Sequence, residues 1–90
     1  MRLDLFLKAS RLCSRRTIAQ KLCDAGRVSV NGNVAKSSHA VKESDEITIT
    51  GRDKIISARV LAIPHTRQTS RKEAATLYEL VSEESIEAII

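Results

Sequence analysis

Residues 27–34, Arg-Val-Ser-Val-Asn-Gly-Asn-Val, decide the fold of this 90-residue chain. Valines alternate with polar residues up to Asn31-Gly32, and this pattern predicts a strand that enters a two-residue hairpin turn. The return strand is predicted over residues 33–36 and ends at Lys36. Alternating stretches at 46–50 and 55–63 predict two further strands, and Pro64 stops the second of them because proline cannot continue a sheet ladder.

Two amphipathic helices are predicted before this hairpin. Leu3, Phe6 and Leu7 follow the i, i+3, i+4 spacing of a helix with one apolar face. Ser14 is predicted to be the N-cap of the second helix, and Gly26 is predicted to end it in a left-handed conformation. The buried face of the second helix is predicted to comprise Ile18, Ala19, Leu22 and Cys23.

A third helix is predicted near the C-terminus, with Ser70 as N-cap and Glu73 at the capping-box position. Ala74, Leu77, Tyr78 and Val81 would share its buried face. The fold class is therefore α+β, with two N-terminal helices on a small, twisted, mostly antiparallel sheet and a C-terminal helix. Residues 1–64 are expected to form the main domain with its sheet extension. Residues 65–90 are expected to form a linker and an acidic helix packed on or beside that domain.

The two halves of the chain differ in charge. Residues 1–36 carry eight Lys or Arg against two acids, whereas residues 37–90 carry seven against nine, and the whole chain has a formal charge of +4. From Glu73 onward there are five acids and no Lys or Arg. This asymmetry predicts that the N-terminal half faces an anionic partner and that the C-terminal segment is kept away from it.

Composition and motifs argue against several classes of protein. No apolar run approaches the ~20 residues of a membrane span. Cys13 and Cys23 form neither a disulfide framework nor a zinc-ligand pair, so we expect reduced thiols near the core of a cytoplasmic protein. His39 and His65 are expected to be ordinary surface residues. A phosphate-binding glycine loop and a nucleophile motif are both lacking, so the sequence predicts no enzyme, no cofactor and no metal.

The start of the second helix is the strongest candidate for a binding site. Free backbone amides and the helix dipole favour phosphate there, and Arg15 and Arg16 occupy its first positions. Two cations at a helix N-terminus oppose the dipole, which makes a purely structural role unfavourable. Lys8 and Arg11 extend the basic region, and Lys36 would join it if the hairpin folds over the helix. Because the chain has one Phe and one Tyr, we expect RNA to be held by backbone and shape.

Four motifs in order resemble the S4 (αL) RNA-binding domain over roughly residues 1–50. They are Arg2-Leu3-Asp4-x-Phe6-Leu7, Ser14-Arg15-Arg16-x-x-Ala19-x-x-Leu22, Gly26-x-Val28-x-Val30-Asn31-Gly32-x-x-x-Lys36 and Val41-x-x-x-Asp45-x-Ile47. S4 domains bind structured RNA with their two helices and the following hairpin. The resemblance singles out Arg2 and Arg16, then Arg15, as RNA contacts. The full candidate set is Arg2, Lys8, Arg11, Ser14, Arg15, Arg16, Asn31 and Lys36.

The segment Thr69 to Tyr78 narrows the resemblance to stand-alone S4 proteins of the RqcP family, which acts in bacterial ribosome-associated quality control. The heat-shock S4 proteins are related to it and carry a long basic tail that this sequence lacks. The resemblance implies a non-catalytic factor that binds 23S rRNA and tRNA on a 50S subunit carrying peptidyl-tRNA. It also implies a partner, the tailing factor that brings alanyl-tRNA. We expect the protein to be a monomer.

Two alternatives stay open at this point. A heat-shock-type factor would reposition peptidyl-tRNA on the free 50S subunit without tailing. A protein-interaction adaptor would instead use the acidic C-terminal helix as its working surface, and the basic half would serve only solubility.

Overall fold

A five-stranded antiparallel sheet in the order β2-β1-β3-β4-β5 forms the centre of the fold. The computed structural model describes residues 1–65 and 69–85. The elements are α1 (Leu3–Ala9), α2 (Arg16–Asp24), β1 (Val28–Val30), β2 (Asn33–Val34), β3 (Glu46–Thr50), β4 (Lys54–Val60), α3 (Arg71–Ala74) and β5 (Tyr78–Ser85). The predicted α+β class, with two N-terminal helices and an antiparallel sheet, is confirmed.

The β1–β2 hairpin turns where the sequence predicted it. Asn31 and Gly32 have φ angles of 52° and 86°, and positive values at both central residues are what a type I′ turn requires. Val30 pairs with Asn33 and Ser29 pairs with Val34. The return strand is two residues shorter than predicted, although the buried Ala35 that follows it still donates its amide to the Val28 carbonyl at 3.0 Å.

The core lies between the two helices and the sheet. Leu3, Phe6 and Leu7 of α1 are fully buried, as predicted. Ala19 and Cys23 of α2 are also buried, whereas Ile18 is 42% exposed, so its predicted burial is wrong. The i, i+4 pair Ala19 and Cys23 directs α2 toward the core and leaves the neighbouring Ile18 at its edge. The sheet and loops contribute Val28, Val30, Val41, Ile47, Ile49 and Val60 to the same cluster.

The predicted C-terminal helix is wrong beyond its first turn. Ser70 does cap α3, since its Oγ accepts a hydrogen bond from the Glu73 amide at 3.0 Å. However, α3 ends at Ala74, and the chain then forms β5, which pairs with β4 from Val60↔Tyr78 to Lys54↔Ser85. The backbone of β5 finds its hydrogen-bond partners on β4, and this tertiary pairing outweighs the helical spacing of the apolar residues.

The predicted domain division and the predicted lack of a membrane span concern the chain as a whole. The division between residues 1–64 and 65–90 stays a prediction, and residues 66–68 and 86–90 of the second part lie outside the described residues. Within the described ranges, every helix is too short or too polar to cross a bilayer.

Candidate functional site

Helix α2 begins one residue later than the sequence predicted. Its N-cap is Arg15 rather than Ser14, and no side chain among the described residues caps it. Arg16 is therefore the first helical residue, and its Nε lies 3.1 Å from Oδ2 of Asp4 on α1. This ion pair between the two helices offsets part of the cost of placing a cation at the positive end of the α2 dipole.

Asp4 is the centre of a cluster that joins the two helices. Its side chain is 0% exposed. Oδ1 accepts hydrogen bonds from Arg2 Nε (3.1 Å) and the Leu5 amide (2.8 Å). Oδ2 accepts hydrogen bonds from Arg2 Nη2 (3.2 Å), Arg16 Nε (3.1 Å) and Gln20 Nε2 (3.0 Å). We call Arg2, Asp4, Arg16 and Gln20 the Asp4 cluster.

The pKa of Asp4 reports the balance of forces in this cluster. Burial disfavours the ionised carboxylate, but the hydrogen bonds from Gln20, Arg2, Arg16 and the Leu5 amide outweigh it, so the pKa lies below its ordinary value. Asp4 is therefore ionised at neutral pH. As a buried anion with five donors, it holds both guanidinium groups in defined orientations.

The arginines of the cluster keep part of their hydrogen-bonding capacity for a ligand. Arg16 binds Asp4 through Nε, and among the described residues its two terminal nitrogens have no partner. Arg2 uses Nε and Nη2, and within residues 1–65 and 69–85 its Nη1 has no partner. The two side chains are 38% and 44% exposed. A planar guanidinium that is fixed at one edge and open at the other suits bidentate binding of a phosphate.

The loop that follows β2 runs beside the Asp4 cluster. The Asp4 amide donates to the Ser37 carbonyl at 3.1 Å, the Leu3 amide donates to the His39 carbonyl at 2.8 Å, and Arg2 pairs with Ala40 in a short antiparallel bridge. Lys36 is exposed and directly precedes Ser37, so its backbone lies next to the Asp4 cluster. The structure therefore brings Arg2 and Arg16 together and places the backbone of Lys36 nearby.

Arg11 has a structural contact that the sequence did not suggest. It adopts a positive φ of 63° in the connection between α1 and α2. Its Nη2 donates to the Thr69 carbonyl at 3.1 Å, and the Thr69 hydroxyl donates to the Ala9 carbonyl. We call this pair of contacts the Thr69 clasp. At least one Arg11 donor is thus engaged within the protein.

Asn31 is also engaged internally. Its Nδ2 donates to Asp45 Oδ1 and its Oδ1 accepts from the Glu46 amide, both at 3.0 Å. These bonds tie the hairpin turn to the start of β3, so the side chain has a structural role. Lys8 lies half-buried in the last turn of α1, whereas Ser14 and Arg15 are exposed before α2.

Comparison with known proteins agrees with this architecture. The S4-domain family model matches residues 1–47, which is more than half of the chain. The chain belongs to the S4-domain family. A relative from Halalkalibacterium halodurans, named RQC P-site tRNA stabilizing factor, is 48% identical over 96% of each chain. The relative of the same name from Bacillus subtilis is 45% identical over 96% of this chain and 98% of its own.

The fold match is equally extensive. The trimeric structure of Vibrio cholerae Heat Shock Protein 15 superposes with a TM-score of 0.81 at 31% identity, covering 91% of this S4 chain and 82% of that one. Both family resemblances stated from the sequence, to RqcP and more distantly to the heat-shock S4 proteins, are confirmed.

Sequence reasoning missed two members of the S4-domain site, Asp4 and Gln20. Asp4 was given only as a position of the first motif, and Gln20 had no assigned role. A usable signal existed, because Arg16 and Gln20 are four residues apart and therefore share one face of α2. An acid inside the apolar stripe of α1 needs buried partners, and that face supplies them.

The two cysteines of the S4 domain are free and buried, as predicted. Burial, with a smaller contribution from Cys23, raises the pKa of the Cys13 thiol to about 11. Burial, together with Asp4 and Asp24, also raises the pKa of Cys23. Thiols with raised pKa values are poor nucleophiles and poor ligands at neutral pH. Over the described ranges, no group of three His, Cys, Asp or Glu side chains is placed to hold a metal ion.

Proposed function

We propose that this protein is a non-catalytic RNA-binding factor that holds peptidyl-tRNA on a stalled 50S subunit, in contact with 23S rRNA and tRNA. The observation that carries the proposal is the Asp4 cluster. A buried carboxylate there orients two partly exposed arginines in the basic half of an S4 domain. The relatives named RQC P-site tRNA stabilizing factor support the choice of RNA.

Arg16 is proposed to be the principal phosphate contact, ahead of Arg15. Arg15 precedes α2 and Arg16 begins it, but of the two only Arg16 is held by a buried anion. A side chain oriented before binding loses less conformational entropy when it meets a phosphate. Arg2 and Lys36 extend the contact across the same region. Lys8, Ser14 and Arg15 are proposed as peripheral contacts, whereas Arg11 and Asn31 act chiefly through their internal bonds.

The proposed role in quality control is mechanical. Fixing the tRNA on the 50S subunit would let a tailing factor extend the stalled chain, and binding of this kind needs no catalytic group. We further propose a cytoplasmic monomer that acts through its RNA contacts and engages the tailing factor on the ribosome.

Co-sedimentation with 50S particles tests this function. In extracts containing 50S subunits with peptidyl-tRNA, the wild-type protein is expected in the 50S fraction of a sucrose gradient. Arg16→Glu is expected to weaken binding by about tenfold or more and move the protein to the top, because it replaces an oriented cation with an anion. The matched control is Arg52→Glu, which makes the same charge change at an exposed position outside the described elements, between β3 and β4.

Two results would contradict the proposal. One is wild-type protein at the top of the gradient with peptidyl-tRNA-bearing 50S present. The other is equal loss of binding in the Arg16 and Arg52 variants, which would indicate general charge attraction without a defined site. Binding should also fall steeply with salt as phosphate contacts release counterions. A salt-insensitive association would favour a protein-interaction adaptor.

A second candidate function is a heat-shock-type factor that repositions peptidyl-tRNA without tailing. The similarity to Heat Shock Protein 15 of Escherichia coli, 32% identical over 92% of this chain and 62% of that protein, favours keeping it. The two functions separate in a reconstituted tailing reaction. The leading proposal expects tailing to slow when the protein is omitted, and the alternative expects no change.

A further inference from the structure

An open cleft of about 390 Å³ lies beside the Asp4 cluster, and the proposed function assigns no ligand to it. Its lining residues are Asn31, His39, Ala40, Lys42 and Asp45. They come from three turns: the β1–β2 turn, the loop that follows β2, and the turn that leads into β3. Clefts of this volume fall in the range that binds small molecules and cofactors.

The walls of the cleft are held by hydrogen bonds. Asp45 accepts from the Lys42 amide (2.9 Å) through Oδ2 and from Asn31 Nδ2 (3.0 Å) through Oδ1. The Asp45 amide donates to the Lys42 carbonyl at 3.2 Å, and the His39 amide donates to the Lys36 carbonyl at 3.0 Å. Each carboxylate oxygen of Asp45 keeps a further lone pair, so a fixed acceptor faces the cleft.

The lining offers groups of opposite chemistry. The Lys42 ammonium can donate up to three hydrogen bonds to an anion, and the His39 imidazole can donate a hydrogen bond or stack on a base. Asp45 would repel a simple anion. A nucleotide fits both features, because its phosphate suits Lys42 and His39 while donors on its base suit Asp45.

The base that fits Asp45 best is guanine. Its Watson–Crick edge presents two neighbouring N–H donors, and a carboxylate accepts such a pair with its two oxygens. Uracil presents one N–H donor between two carbonyl oxygens, and those oxygens would face the carboxylate. An acceptor of this kind discriminates strongly against a base that cannot supply the matching donors.

The cleft is continuous with the proposed phosphate contacts. Ala40, one of its lining residues, is the bridge partner of Arg2 in the Asp4 cluster. Residues opposite each other in an antiparallel pair have Cα atoms about 4.5–5.5 Å apart. An RNA strand lying over Arg2 could therefore place an adjacent nucleotide in the cleft.

We propose that this cleft receives one unstacked nucleotide of the bound RNA, with its phosphate toward Lys42 and His39 and a guanine edge toward Asp45. The inference rests on the proposed RNA-binding function. It adds a base preference to a surface that otherwise contacts only the phosphates of the RNA backbone. Unstacked bases in single-stranded segments are the usual targets of sequence-specific RNA recognition.

The test is an amide NMR titration of the full chain with guanosine 5′-monophosphate, uridine 5′-monophosphate and inorganic phosphate. Guanosine monophosphate is expected to shift the amides of residues 39–45 saturably, with an affinity about fivefold or more above that of uridine monophosphate. Inorganic phosphate should bind more weakly than either nucleotide. Equal binding of the two nucleotides, or phosphate binding as tight as that of guanosine monophosphate, would overturn the proposal.

Variants assign the contacts. Asp45→Asn is expected to remove the preference for guanosine. Lys42→Ala is expected to weaken the binding of both nucleotides because it removes the ammonium group proposed to face the phosphate. The Lys42 side chain makes no hydrogen bond among the described residues, so the fold should tolerate this change. The second variant keeps the test valid if the first disturbs the turn. Lys72→Ala, an exposed change in α3, is the control and should leave binding unchanged.

The outcome is separable from that of the proposed function. If no mononucleotide shifts residues 39–45 while the wild type still co-sediments with 50S particles and Arg16→Glu does not, the cleft proposal is wrong and the RNA-binding function stands. If guanosine monophosphate binds at the cleft but the wild type stays at the top of the gradient, the proposed ribosomal function fails.

Discussion

Ion pairs occur at both ends of the molecule, and they differ in what surrounds them. In the Asp4 cluster the carboxylate is fully buried and two arginines converge on it at 3.1 Å. On the paired strands β4 and β5, Lys54 pairs with Glu83 at 3.1 Å and Arg59 pairs with Glu79 at 3.7 Å, and all four side chains are about half exposed. Similar distances therefore correspond to different energies, because water screens the second set more than the first, whose carboxylate is buried.

The difference also separates two roles. The buried anion sets the orientation of groups that can bind a ligand, and removing it leaves cations without their partner. The exposed pairs cross neighbouring strands and add little beyond the backbone ladder that already joins them. We infer that the N-terminal cluster determines binding geometry, whereas the C-terminal pairs only neutralise a strand rich in glutamate.

The largest expected effect comes from Asp4→Asn. Loss of the buried anion should destabilise the fold by about 1–3 kcal/mol, below the full cost of breaking a buried pair because the released arginines can reach water. It should also weaken 50S binding. Net charge alone predicts the opposite, since the variant is more positive by one unit. Urea denaturation gives the first quantity and gradient co-sedimentation gives the second.

The control for Asp4→Asn is Asp53→Asn, which removes one negative charge at an exposed position between β3 and β4. It should leave stability within about 0.5 kcal/mol of the wild type. Tighter 50S binding by Asp4→Asn would show that charge outweighs orientation, and the comparison between the two regions would lose its basis.

The second-largest effect is expected in how the free energy of unfolding depends on pH. Because the pKa of Asp4 is lower in the folded state than in the unfolded chain, its contribution is fully present above the unfolded value of about 4 and is lost as pH falls through the folded value. Urea midpoints measured from pH 7 down to pH 2 should therefore converge for wild type and Asp4→Asn below about pH 4. A constant difference across this range would mean that Asp4 titrates alike in both states.

The smallest effect is expected at the exposed pairs. Glu83→Gln and Glu79→Gln should each change the free energy of unfolding by about 0–1 kcal/mol, and less at high salt. Neither should shift the protein in the 50S gradient. A loss of 50S binding in either variant, with stability unchanged, would assign the C-terminal strand a binding role and bring the adaptor hypothesis forward.

Local signals accounted for much of the fold. The Asn31-Gly32 turn needs two positive φ angles, the β3 strand at 46–50 alternates cleanly, and Gly26 adopts its expected positive φ of 74°. Each of these is decided within a few residues. The C-terminal strand is not, since Ala74, Leu77, Tyr78 and Val81 fit a helical period and only pairing with β4 selects the extended form.

The candidate site also contains residues that a local pattern predicts and residues whose roles depend on distant partners. Arg2 and Arg16 were found from motifs, and the dipole argument marked Arg16 as locally unfavourable. The structure shows that this cost is offset by Asp4, a residue 12 positions away in the chain. The internal roles of Arg11 and Asn31 depend on partners 58 and 14 residues away, which no local pattern contains.

The Thr69 clasp has a consequence for how the molecule is completed during synthesis. Thr69 reaches back 60 residues to Ala9 and 58 residues to Arg11, so the corner between the two N-terminal helices gains these bonds only after residue 69 has left the exit tunnel. At about 5–20 residues per second, the first helices wait several seconds for that segment. Such long-range closure is slow relative to local helix formation. A nascent chain released before Thr69 would carry the arginines of the S4 domain without the finished corner.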